Sequence, residues 1–405
     1  MSLHSHSDII AISNSYFAVI SRVNRTLKTL SFSRPLWAEI DLGALRHNVR
    51  CLRSRNGGLI LPVLKANAYG HGAIVCAETL QNDLQKGEMF CVASVDEAIQ
   101  LRSAGIAAPI LLLSALLPNE ADACVEYDLT ATISTFALAK ALNDAAQKQD
   151  KSHATAHFKI DSGMRRLGAA PNEIAALWNQ ISRLSHLQIT GIYTHFACAD
   201  EDEDEMTCEQ NEIFKMALQQ CNVDLHNKPR PMLHAANSAA TWRHPFAAFD
   251  AVRPGISIYG VSPFASKVLS ATLHAELRPV MQLKAKVTLT KQISSGSSVS
   301  YGATWRANKA TRLAVIPIGY ADGYHRSLSN CGKVLLRGQL CPVVGRVTMD
   351  QSIIDVTALD PAVQIGEEVA LCNDELRVER VAELAGTIGY EMLTGVAARV
   401  PRVYK

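Results

Sequence analysis

No CxxC pair occurs in the 405 residues, and no cysteine stands with histidine at zinc spacing. That removes a structural zinc site, and no metal is expected. The ten scattered thiols (Cys51, Cys76, Cys91, Cys124, Cys198, Cys208, Cys221, Cys331, Cys341 and Cys372) read as buried, reduced side chains of a cytoplasmic protein. No apolar run is long enough to span a bilayer, so no membrane association is expected. Neither sign of charge prevails: the formal net charge is +2, which points away from nucleic acid or another polyanion as partner. No secretory signal is expected in residues 1–34, because no Lys or Arg precedes the apolar part and Ser13, Asn14 and Ser15 interrupt it. Their serine- and arginine-rich, acid-poor stretch has the composition of a transit peptide or of a poorly ordered extension, and the extension is the expectation.

What is abundant is apolar side chain, 48% of the total, enough for a large core. After the alternating strand LWAEID and the helical pattern LGALRHNVRCLRSR, short apolar runs recur, separated by segments of helical length. They are Leu59–Lys65, Met89–Ala93, Ile110–Leu113, Leu129–Ile133, Ala156–Ile160, Leu187–Tyr193, Met232–Ala235 and Phe249–Arg253. Amphipathic stretches such as TFALAKALNDAAQK (135–148) lie between them. Eight such units predict an α/β architecture with an N-terminal (β/α)8 TIM-type barrel over residues 35–274. From about Val280 the texture changes to strand patterns split by Gly, Asn and Asp turns, which predicts a mainly β domain over 275–405.

Barrel chemistry gathers at the C-terminal ends of the strands. Those ends here carry Lys65, Lys159 with Asp161, His195, then His234, Asn237 and Ser238, and finally Arg253. A lysine closing an apolar strand is desolvated, which lowers its pKa and makes it a nucleophile or base. The bland alternative is a lysine that snorkels to the rim. A carbonyl-binding lysine suits either a Schiff-base aldolase or a pyridoxal-phosphate enzyme. ANSAAT (236–241) and RPGISIYG (253–260) follow strands seven and eight, the usual phosphate location in such barrels, and Gly255 allows close backbone approach. Arg253 can only donate, so against a pyridine nitrogen it would leave that nitrogen unprotonated.

VLKANAYGHG (63–72) resembles the cofactor-lysine signature of alanine racemases. FKIDSGMRRLG (158–168), YTHFACADE (193–201), HAANSAAT (234–241), VRPGISIYG (252–260), VSYGATW (299–305), IPIGYADG (316–323) and VTMDQ (347–351) continue that likeness in the family's order. The resemblance implies pyridoxal phosphate bound to Lys65 as a Schiff base, with Lys65 and Tyr301 as bases on opposite faces of L- or D-alanine. It implies that Tyr69, Asn237, Ser238, Gly255 and Ile256 hold the cofactor's phosphate end. His195 would pair with Arg253, and Arg253 with the pyridine nitrogen. Arg166 and the Met349 backbone would orient the substrate carboxylate, and Tyr320 would line the way in. Lys159 aligns with a lysine that is carbamylated in some members. Tyr301 would come from a partner subunit, making a homodimer with shared sites that supplies D-alanine for peptidoglycan.

Two departures stand out. Ala398 occupies the place before the final RVPR segment where the family often has a phosphate-contacting tyrosine, and Thr348 replaces a cysteine of some members. Other readings remain: a broad-specificity amino-acid racemase, a pyridoxal-phosphate decarboxylase of the same architecture, or a non-catalytic cofactor carrier. The decarboxylase would need a GGG-type phosphate loop, which is missing. The carrier would end with the barrel, at ~250 residues.

Substituting Lys65→Ala is expected to abolish the absorbance of lysine-bound cofactor and the racemisation of alanine together. Normal turnover with the absorbance intact would refute the assignment.

Overall fold

The computed structural model describes residues 33–224, 229–264 and 267–405. Apart from Ser33 and Arg34, the extension expected at 1–34 lies outside the described residues.

The first strand, β1 (Leu36–Ile40), buries Leu36, Ala38 and Ile40 on one face, as its alternation dictates. The next eight are β2 (Leu59–Ile60), β3 (Phe90–Val92), β4 (Ile110–Leu112), β5 (Ala131–Ile133), β6 (Ala154–Lys159), β7 (Leu187–Tyr193), β8 (Met232–His234) and β9 (Ala251–Val252). Each falls within one of the eight apolar runs or overlaps it. All pair in parallel, with bridges Val63↔Cys91 and Leu111↔Thr130 joining β2 to β3 and β4 to β5. The ring closes between β2 and β9, where Leu59 faces Ala251 and Ile60 faces Val252. β3, β4 and β5 are buried along their whole length, which a sheet covered on both faces requires.

Helices cover the outside, and local capping sets where they start. Asp41 accepts from Ala44 N at 2.8 Å to open Leu42–Asn56. Ser94 opens Val95–Ser103 and Thr135 opens Phe136–Lys148 in the same way. No described helix is long and apolar enough to cross a membrane.

The remaining strands form the β domain: β10 (Met281–Lys286), β11 (Leu289–Ile293), β12 (Ser298–Val299), β13 (Trp305–Arg306), β14 (Thr311–Ile316), β15 (Lys333–Leu336), β16 (Gln339–Pro342), β17 (Ser352–Asp355), β18 (Glu368–Cys372) and β19 (Arg402–Tyr404). One sheet runs β16-β15-β18-β10-β1-β19, a second β11-β14-β17, and β12 and β13 form a hairpin. β1 therefore corrects the expected 35–274 span. It lies antiparallel to β10 and parallel to β19, inside the sheet of the C-terminal domain rather than in the barrel. The expected boundary at 275 falls within the helix Lys267–Glu276. The expectation of buried thiols also needs amending, because Cys208 and Cys331 are exposed, though all ten are free.

One buried ion pair ties the barrel's closing seam to the first helix. Glu88 accepts from Ile60 N at 2.9 Å, Gln85 N at 2.9 Å and Arg53 Nη2 at 2.7 Å, and its side chain is fully buried. Arg53→Ala would leave that carboxylate unpaired and should cost about 3 kcal/mol in urea unfolding. A loss under about 1 kcal/mol would show that the pair behaves like an exposed one.

Candidate active site

Lys65 sits just past the end of β2, at the start of a backbone turn of reversed hand. Ala66, Asn67 and Ala68 have φ of 53–54° and ψ of 47–50°, and Tyr69 has φ 51°. Four consecutive non-glycine residues in this region cost about 1–2 kcal/mol each unless held in place. They are held. Ala66 N donates to Glu97 Oε1 at 2.7 Å, Ala68 N to Leu64 O at 2.8 Å, and Ala73 N to Asn67 Oδ1 at 2.8 Å. Burial lowers the Lys65 pKa, and the nearby Arg166 cation lowers it further.

Arg253 is the centre of the barrel mouth. It is 3% exposed. Its Nη1 donates to His234 Nδ1 at 2.6 Å, and its Nη2 to Thr194 O at 2.7 Å, Ala235 O at 2.9 Å and His195 Nδ1 at 3.2 Å. A guanidinium cannot accept, so both imidazoles present a bare Nδ1. His234 then carries its proton on Nε2 and donates to His157 Nδ1 at 2.9 Å. Burial and the Arg253 charge hold all three histidines neutral: His195 and His234 well below the ordinary value, His157 down to about 3. Tyr193 lies under this group, 4.9 Å from the guanidinium and 4.8 Å from Lys159 Nζ, and it stacks on His234 at 4.7 Å. Desolvation, then Arg253, Arg166 and Lys65, bring Lys159 down to about 7. No carboxylate pairs with Arg253 among the described residues, and its Nε makes no hydrogen bond there. Arg166 is exposed near Lys65 and Lys159, with no hydrogen bond or ion pair among the described residues.

The turn after β9 forms a cradle. Ser238 Oγ accepts from Gly255 N at 2.9 Å, which leaves its own proton free to donate. Ile256 N makes no hydrogen bond among the described residues. A Cβ on Gly255 would lie 2.4 Å from the Tyr69 hydroxyl oxygen, so only glycine lets that phenol approach. Asn237 caps the helix Ser238–Arg243, its side-chain oxygen accepting from Ala240 N at 2.9 Å. Tyr390, on the short helix Gly389–Thr394, sits 6.1 Å from the Tyr69 ring. Sequence reading missed Tyr390 as well as the parts played by His234 and His157. Only the position of His234 at a strand end carried a signal.

Tyr301, Tyr320 and Met349 form a separate group on the β domain, 73%, 43% and 53% exposed. No hydrogen bond or ring contact among the described residues links them to Lys65 or Arg253. Tyr320 N donates to Thr348 O at 3.0 Å and Ala321 N to Met349 O at 3.1 Å, while Met349 N makes no such bond. Asp322 anchors this corner. Its carboxylate, fully buried, accepts from Arg34 Nη1 at 2.6 Å, Arg399 Nε at 2.7 Å and Gly319 N at 2.9 Å. Those bonds to two arginines and a backbone amide outweigh burial and lower its pKa.

A half-buried lysine of lowered pKa, at the mouth of a parallel barrel that also holds a buried cation, marks a lysine-dependent barrel enzyme. Residues 40–263 match the family model described as alanine racemase, N-terminal domain, and residues 280–404 match its C-terminal domain. The alanine racemase of Desulforamulus reducens is 42% identical over 375 residues, covering 91% of this chain and 99% of that protein. That of Halothermothrix orenii is 39% identical over 383 residues, 92% and 97% of the two. The crystal structure of alanine racemase from D-cycloserine-producing Streptomyces lavendulae superposes with a TM-score of 0.85 at 35% identity, over 93% of this chain and 98% of that one. The Bacillus anthracis alanine racemase with bound L-Ala-P gives 0.80 at 35% identity, over 93% and 96%. The chain belongs to the alanine racemase family, whose members are pyridoxal-phosphate-dependent isomerases.

Gly255→Ala should push Tyr69 aside and weaken pyridoxal-phosphate binding about tenfold, measured by fluorescence titration of the cofactor-free protein. Unchanged affinity would show that the close approach serves only packing.

Proposed function

We propose that this protein interconverts L-alanine and D-alanine with pyridoxal phosphate at the barrel mouth, and that two chains complete each site. The observation that carries the reading is Arg253, a buried cation fixed by neutral imidazoles and carbonyls with its Nε left over.

The residues suit that cofactor. Tyr69, Ser238, Gly255 and Ile256 would hold its phosphate, with Tyr390 beside them. Lys65 would hold its carbonyl carbon, and Arg253 would donate to its ring nitrogen. When bound, the cofactor supplies an electron-withdrawing ring that acidifies the substrate Cα–H bond.

Arg253 tempers that withdrawal. It cannot give up its proton near neutrality, so it keeps the ring nitrogen bare and favours proton return over transamination. A decarboxylase generally places a carboxylate there instead. Lys65, its pKa lowered by burial and Arg166, takes or returns the proton on one face. Tyr301 of a second chain does so on the other, which explains a tyrosine 73% exposed in the single chain. Arg166 pairs with the substrate carboxylate, the free Met349 amide adds a donor, and Tyr320 lines the way in. Lys159, with its amine titrating near neutrality, suits carbamylation and would then brace Arg166. The product D-alanine fits a role in peptidoglycan synthesis.

A chiral assay on L-alanine with added pyridoxal phosphate tests the activity, and absence of D-alanine would overturn it. Mixing inactive Lys65→Ala and Tyr301→Phe chains tests the sharing. Random reassortment gives half heterodimers with one intact site each, so about a quarter of native activity should return. No recovery after demonstrated subunit exchange would place both bases on one chain.

A further inference from the structure

In the reversed turn at Ala66–Tyr69 the amides of Ala66 and Ala68 have the partners already named, and the Ala68 carbonyl accepts from His71 N at 3.0 Å. The His71 imidazole adds a side-chain donor to the turn's last two carbonyls. The side chain is fully buried, and its Nδ1 lies 2.8 Å from Ala68 O and 3.0 Å from Tyr69 O. Both are acceptors, so Nδ1 carries the hydrogen and donates to the pair. Nε2 is buried with no partner among the described residues. The imidazole is neutral: burial, with Arg402 adding its charge, takes it down to about 4.

The same ring stacks on Tyr259 at 4.5 Å and 23°. Tyr259 closes the 3-10 turn Ile256–Tyr259 that begins beside Gly255. Its hydroxyl donates to Val63 O at 2.8 Å, and its ring lies 5.0 Å from Tyr69. One imidazole thus grips the carbonyls of the lysine turn by hydrogen bonds and leans flat on the phosphate turn. Few side chains can do both. Phenylalanine would stack without donating, and asparagine would donate without stacking. The glycines on either side leave the ring this place, since a Cβ on Gly70 would lie 2.4 Å from Leu393 O and one on Gly72 2.0 Å from the Tyr404 hydroxyl.

We propose that His71 is a positioning residue that locks the turn carrying Lys65 and Tyr69 to the turn carrying Gly255 and Ile256, setting the spacing between the two ends of the bound cofactor. It acts through Ala68, Tyr69 and Tyr259 and does not touch the ligand. The inference rests on the cofactor reading of Lys65 and Tyr69 given above.

The test is rebinding of pyridoxal phosphate to the full-length, cofactor-free protein, followed by fluorescence and by the absorbance of lysine-bound cofactor. His71→Phe should weaken binding about tenfold and slow the appearance of that absorbance, with the far-ultraviolet dichroism unchanged. A merely structural role would lower Tm while leaving the cofactor Kd at the native value, and that result would overturn the proposal. A variant-free check is nitrogen-15 NMR of the native chain, which should find the His71 proton on Nδ1 from pH 9 to 5. A proton on Nε2 would sink the idea even if His71→Phe failed to fold. Lys65→Ala separates the two readings. If its lysine-bound absorbance persists, the assignment of Lys65 fails and this inference with it. If that absorbance vanishes while His71→Phe binds as the native protein does, only the role of His71 falls.

Discussion

Placing an arginine at the axis of a closed barrel without an acid to balance it is the constraint from which the site's chemistry follows. A buried cation is costly unless its donors are satisfied, and Arg253 meets this with carbonyls and imidazoles alone. The consequences spread outward. His195, His234 and His157 stay neutral, because a second positive charge beside Arg253 would raise the cost. Lys159 gives up much of its basicity to burial first and to the same field second. Tyr193 offers its ring face to both cations and anchors its hydroxyl on Thr132 at 2.7 Å. Cys91 is buried beside them, its thiol pushed up to about 12 by desolvation, and so adds no negative charge. The pocket's permanent charge is therefore positive, which suits a substrate and cofactor that arrive with a carboxylate and a phosphate.

The barrel was legible because its strands announce themselves. Each is an unbroken apolar run, and eight at regular intervals leave few alternatives. β1 was legible as a strand and not as to place. Its alternation specifies a half-buried strand, but its partners Met281–Lys286 and Arg402–Tyr404 lie more than two hundred residues away, where no local pattern reaches. The lysine turn shows the same limit more sharply. Asn67 tolerates a left-handed backbone, but Ala66, Ala68 and Tyr69 carry no sign of it. A tertiary bond from Glu97 and a local one to the Leu64 carbonyl hold that shape. Tyr390 was invisible for a related reason: a tyrosine on a short helix reads as packing until Tyr69 is seen beside it.

The site also divides by rigidity. The barrel half consists of strand ends and turns held by many backbone bonds, with the Ile256 amide left over among the described residues. The β-domain half, Tyr301, Tyr320 and Met349, stands outward on turns fixed from behind, with Asp322 and its two arginines bracing one of them. Motif and family likeness named the residues of both halves. The braces behind them, half-buried Glu97 and fully buried Asp322, went unnoticed because a carboxylate that holds a turn looks in sequence like any surface acid.

The position of β1 bears on how the chain is made. Leu36–Ile40 is translated before the barrel, but both strands that flank it are encoded after the barrel. Its two unsatisfied edges must wait through translation of the whole barrel, so the barrel side cannot mature as a finished unit before the β domain is made. The nascent polypeptide carries an open seam until Arg402–Tyr404 has emerged, and that interval is when pairing with a foreign strand most threatens it.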